Sequence, residues 1–144
     1  MAQQPHRIGR AMLLVVLMPF LMVACTQKTP EGPSLDVTLH DFHITSAEQT
    51  FAAGNVVIQV HNDAPMTHEF VVVRTDLPAD RLPIGPDGLS VNEEWLSAMG
   101  ELDDVPASET RSLPLDLSPG RYVFFCNLEG HYLGGMHAVL EVTG

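Results

Sequence analysis

Residues 121–142 read RYVFFCNLEGHYLGGMHAVLEV. An apolar run ending at Phe125 and a second, His137–Val142, flank a loop that carries Cys126, His131 and Met136, with four residues between each and the next. The flanking runs read as strands. Gly130, Gly134 and Gly135 give the loop the tight backbone it needs between them. A thiol, an imidazole and a thioether within one short loop raise the question of what the three side chains share.

Outward from this loop the chain is a series of short strands and turns. In LDVTLHDFHI, Leu35, Val37 and Leu39 alternate, and the phase then shifts to Phe42 and Ile44, as a β-bulge would cause. Val56, Ile58 and Val60 share one face after a Gly54-Asn55 turn. THEFVVVR, after Asp63-Ala64-Pro65, reads as buried on both faces. Leu113, Leu115 and Leu117 alternate around Pro114, which suits an edge strand. Ser118-Pro119-Gly120 then turns the chain into RYVFF. Between Thr75 and Val105 lies an excursion rich in Pro and Gly. Within it, SVNEEWLSAMG carries a Ser90–Glu93 capping box and ends in Gly100, which predicts a short helix. These readings amount to an all-β, Greek-key β-sandwich with a short helical insertion.

The donors now gain a meaning. Thiolate, imidazole and thioether together favour copper, whereas zinc sites draw on Cys and His without Met. A trigonal His, His, Cys set with a weak axial Met is the blue-copper pattern, and the loop supplies three of its four members. The second His must come from elsewhere, and His68, in NDAPMTHEF beside a hydrophobic strand, is the best candidate. The plainer alternatives are a core Met136, a core-edge His68 and an inert buried Cys126. His40, His43, His61 and His137 read as surface or structural histidines. A Cys-His protease would leave Met136 unexplained, and a four-ligand site has no open position for substrate, so no enzyme activity is expected.

NDAPMTHEF together with GRYVFFCNLEGHYLGGMHAVLEV resembles the cupredoxins, the small blue-copper proteins. The Cys-x4-His-x4-Met spacing is most similar to the rusticyanin and sulfocyanin branch. The resemblance implies one type 1 copper ion held by His68, Cys126 and His131 as equatorial ligands and by Met136 axially. It implies one-electron transfer with a redox partner protein such as a cytochrome or an oxidase; copper delivery is the alternative. Many cupredoxins have Asn after the first His, and here Glu69 follows. It also makes His131 the ligand nearest solvent, where Tyr132 and Leu133 form an apolar patch or else pack inward.

The first 25 residues, MAQQPHRIGRAMLLVVLMPFLMVAC, have a basic start and an apolar run too short to span a bilayer comfortably. This is an export signal, and its end resembles the lipobox of bacterial lipoproteins, in which Cys25 would be lipidated. A plain signal peptide with a coincidental Cys is the other reading. The expected organisation is a signal peptide over 1–24, a lipid-anchored flexible linker over 25–34 and a cupredoxin domain over 35–144. The protein would be exported and membrane-anchored through Cys25, facing the periplasm or cell exterior, and a monomer. With Cys25 at the leader boundary, Cys126 has no disulfide partner, and a bound metal would protect its thiol. Eighteen acidic against seven basic residues give a formal charge of −11, and Arg7 and Arg10 lie in the leader. Such a surface repels nucleic acid. It suits solubility or a basic partner.

Overall fold

A computed structural model describes residues 32–144. Nine strands run in the order β1 (Ser34–His40), β2 (His43–Ser46), β3 (Thr50–Ala52), β4 (Gly54–Asn62), β5 (His68–Arg74), β6 (Ser97–Val105), β7 (Thr110–Leu117), β8 (Gly120–Phe125) and β9 (His137–Thr143). They form two sheets, ordered β2-β1-β4-β7 and β3-β9-β8-β5-β6. The pairs β1–β4 and β3–β9 are parallel, and the other neighbours are antiparallel. The expected β-sandwich is therefore present, with β7 at the edge where Pro114 predicts it.

The core follows from alternation. Leu35, Val37, Leu39, Val56, Ile58 and Val60 point from the first sheet onto Phe70, Val72, Tyr122, Phe124 and Leu140 of the second. Each is almost wholly removed from water, and a fully buried side chain of this size contributes about 1.5–3 kcal/mol. The opposite face of β5 and β8 carries Val71, Val73, Val123 and Phe125, covered by Leu82 and Val91 of the 75–96 excursion and by Tyr132. That second, smaller core explains why both strands are continuously apolar.

Three local expectations are corrected. The phase shift at Phe42 is not a bulge: β1 and β2 pair up to His40↔His43, so Asp41-Phe42 is a two-residue hairpin turn with Phe42 at φ 57°. Gly54 belongs to β4, so the turn precedes it. The predicted helix over Ser90–Gly100 shrinks to one 3₁₀ turn, Glu93–Trp95, capped by Asn92 rather than by Ser90. From Ser97 onward the chain is β6, paired with β5 along its length. The edge hydrogen bonds that β5 offers outweigh the weak capping signal of an isolated turn.

Candidate metal centre

The proposed donors meet at one end of the sandwich. Cys126 follows the last residue of β8, and His68 opens β5, two strands that pair from Val71↔Phe125 onward. His131 and Met136 lie on the loop that returns to β9. That loop is held by its own backbone: Cys126 N–H donates to Met136 O at 3.1 Å, and Met136 N–H donates to His131 O at 3.1 Å. Two reversals, at Gly130 (φ 79°) and Gly135 (φ 106°), use left-handed backbone that glycine adopts freely.

His68 is positioned from the other side. Asn62 is fully buried; its Nδ2 donates to the carbonyls of Met66 and Val105, both at 2.7 Å, and its Oδ1 accepts from Ala64 N–H. This pins the 63–67 loop that delivers His68. Asn127, next to Cys126, clasps the excursion: Oδ1 accepts from Val91 N–H at 2.6 Å, while Nδ2 donates to Val91 O and to a Glu93 carboxylate oxygen. Neither Asn is marked by the donor pattern. Asn62-Asp63 at a strand end and Asn127 beside the thiol are the signals that point to them.

The side chains of His68, Cys126 and His131 bring one donor atom each to within 4.8 Å of one another. Cys126 Sγ lies 3.8 Å from His68 Nδ1 and 3.5 Å from His131 Nδ1. A metal bonded to sulfur at about 2.3 Å and to nitrogen at about 2.0–2.1 Å, with angles of ~110–120°, separates those atoms by about 3.5–3.8 Å. The three donors are thus already spaced for a shared ion. His68 and Cys126 are 0% exposed and His131 is 8% exposed. Met136, also fully buried, packs in the same core cluster as Cys126. The donor set fits one copper ion of the type 1 kind.

Electrostatics agree with a metal rather than a nucleophile. Burial pushes the Cys126 thiol up from its ordinary value, only partly offset by backbone N–H groups of Leu128 and Glu69. A thiol in that state is a poor free nucleophile. Burial, then the neighbouring His131, lowers the His68 pKa, which keeps its imidazole neutral and able to donate a lone pair.

The surroundings of His131 differ in part from expectation. Leu133 is 54% exposed, but Tyr132 turns inward: its hydroxyl donates to Ala79 O and accepts from Leu82 N–H, both at 2.8 Å. The exposed aromatic beside His131 is Phe42, 50% exposed, with ring centroids 5.1 Å apart. Phe42 comes from the hairpin turn of the other sheet, and its ring occupies the space a Cβ at Gly134 would need. Of the other histidines, His40 stacks on His43, His61 Nδ1 meets Thr110 Oγ1 at 3.0 Å, and His137 packs on Tyr132. None of the four joins the donor cluster. Cys25 and the leader lie outside the described residues, and among those residues no helix is long and apolar enough to cross a membrane.

This two-sheet sandwich, with its Cys-His-Met loop between β8 and β9 brought against an upstream His, has the cupredoxin fold. Solved structures of similar fold include an auracyanin from the photosynthetic bacterium Roseiflexus castenholzii, at 17% identity and TM-score 0.57, covering 80% of this chain and 100% of that one. Auracyanin A of Chloroflexus aurantiacus, described as a "blue" copper protein, shows 21% identity and TM-score 0.57 over 78% of this chain and 100% of that one. Rusticyanin from Thiobacillus ferrooxidans shows 15% identity and TM-score 0.53, covering 78% and 79% respectively. No family model and no curated protein sequence matches the chain.

Proposed function

We propose that this chain is a mononuclear type 1 copper protein that carries single electrons outside the cytoplasm, with His68, Cys126, His131 and Met136 as its ligands. The observation that carries this reading is the convergence of two imidazole nitrogens and a buried sulfur at 3.5 and 3.8 Å in a site built by both the core and the loop backbone. The bound copper would supply the exchange of one electron between Cu(II) and Cu(I). The chain supplies everything else. Cys126 offers a thiolate and Met136 a thioether, soft donors that suit the reduced ion, while His68 and His131 suit the oxidised one. The hydrogen-bonded loop and the Asn62 anchor restrain the donors, so little rearrangement accompanies the change of charge.

Burial supports electron transfer over delivery of the ion itself. Releasing copper requires opening a site whose sulfur and one imidazole are fully enclosed. An electron needs only close approach to His131, under Phe42 and Leu133. Both side chains are exposed and apolar, which suits docking beside His131, and the acidic surface favours a basic redox partner. The export signal and Cys25 support a lipid-anchored protein outside the cytoplasm, and the constellation supports a carrier rather than an enzyme. The test is the visible spectrum of copper-loaded protein. Intense thiolate-to-copper absorption is expected, and Cys126→Ser should abolish it. A mutant that stays blue overturns the ligand assignment. Loss of copper to an acceptor faster than electron exchange would instead mark the protein as a copper carrier.

A further inference from the structure

His68 has two ring nitrogens and only one faces the sulfur. Nδ1 lies 3.8 Å from Cys126 Sγ, while Nε2 points the other way. Among the described residues Nε2 is the one buried side-chain polar atom without a fully aligned hydrogen-bond partner. The Asp41 carboxylate nevertheless lies beside it, with Oδ1 at 3.4 Å. At this distance the Asp41 oxygen lies at the long end of hydrogen-bonding range, facing Nε2 as an acceptor. An imidazole can donate a lone pair from Nδ1 only if its proton sits on Nε2, and a carboxylate beside Nε2 favours that tautomer.

Asp41 reaches this position through the local fold. It is the first residue of the two-residue turn between β1 and β2, fixed by the His40↔His43 pair. The next residue, Phe42, holds φ 57°, an unfavourable conformation for a bulky residue, with its ring against His131. Consecutive residues of one turn therefore cover the two imidazoles, Asp41 on His68 and Phe42 on His131. The turn belongs to the four-stranded sheet, and both histidines belong to the other half of the sandwich. Strain held at such a point marks a turn fixed by its surroundings.

We infer that Asp41 is a positioning residue for the metal centre, holding His68 as the Nε2-protonated tautomer with Nδ1 free as a donor and making that donor more basic. The inference rests on the copper-site reading for its consequences, but not for its first test. In metal-free protein, long-range ¹⁵N–¹H NMR of the His68 ring should show the Nε2–H tautomer. Asp41→Ala should shift the ring toward Nδ1–H or a mixture. Asp41→Asn keeps an oxygen acceptor without the charge and should restore the Nε2–H form. In loaded protein, Asp41→Ala should weaken metal binding about 10- to 100-fold, measured by competition with a chelator. The copper midpoint potential should rise in both variants, because a neighbouring negative charge favours Cu(II). An unchanged His68 tautomer in Asp41→Ala overturns the inference, whether or not metal binds. A wild type with the Nε2–H form that takes up no copper leaves the positioning role standing and refutes the copper reading instead.

Discussion

Glu69 stands where its charge is least welcome. It sits in β5 at a register shift between His68 and Phe70, and its carboxylate shares a space within 4.8 Å with those of Glu101 and Asp103 on β6. Partial burial, followed by the charges of Glu93, Glu101 and Asp103, raises its pKa from 4.5 to about 7. The folded protein therefore binds this proton more tightly than the unfolded chain. Its contribution to stability is fully present below pH ~4.5 and is lost as the pH rises through about 7. At 1.36 kcal/mol per pKa unit the ceiling is roughly 3 kcal/mol, and solvent reaching a half-buried group reduces this to about 1–2 kcal/mol. Glu69→Gln keeps the shape and removes the titration. Urea unfolding of metal-free protein, in chelator and reductant, should give similar stabilities for wild type and mutant near pH 4.5. The mutant should become the more stable by about 1–2 kcal/mol at pH 8. A constant offset between the two across this range would refute the burial and repulsion argument, as would a mutant less stable at pH 8.

Met136→Leu should leave a coloured site and raise the copper potential, since an apolar axial side chain favours Cu(I); a fall in potential in redox titration would count against the axial role. Leu133→Glu should slow oxidation by a basic cytochrome about tenfold in stopped flow, the equivalent of ~1.4 kcal/mol of docking energy, with the spectrum nearly unchanged. Wild-type rates should also fall as salt is added. Cys25→Ser should release the protein from the membrane fraction or leave its precursor unprocessed, and a wild type already soluble with a different mature N-terminus would exclude the anchor.

What the sequence discloses depends on how local each determinant is. Cys126, His131 and Met136 lie on one loop, so their spacing alone brings them into view. His68 is separated from them by several strands, yet its type and its place before FVVV make it recognisable. Leu113, Leu115 and Leu117 display the period-2 signal of a strand packed on one side. β6 is hidden because SAMGELDDV has little apolar alternation; its main-chain pairing to β5 makes it a strand. Asp41 and Phe42 are hidden for a different reason. A turn and a bulge produce the same one-residue phase shift, and only the β1–β2 pairing, with the packing of two sheets, carries that turn to the histidines. Tyr132 follows a ligand directly, but its hydroxyl finds partners at Ala79 and Leu82, which sequence adjacency does not reveal.

β9 is interior to its sheet, flanked by β8 and by the short parallel strand β3. Among the described strands it is also the last in the chain. Until it emerges, β3 has no neighbour and β8 presents an open edge of unpaired main-chain groups. The Met136 carbonyl that receives the Cys126 N–H is likewise missing from any shorter chain. A growing polypeptide thus cannot complete its second sheet or close its donor loop stepwise; both wait for the same segment.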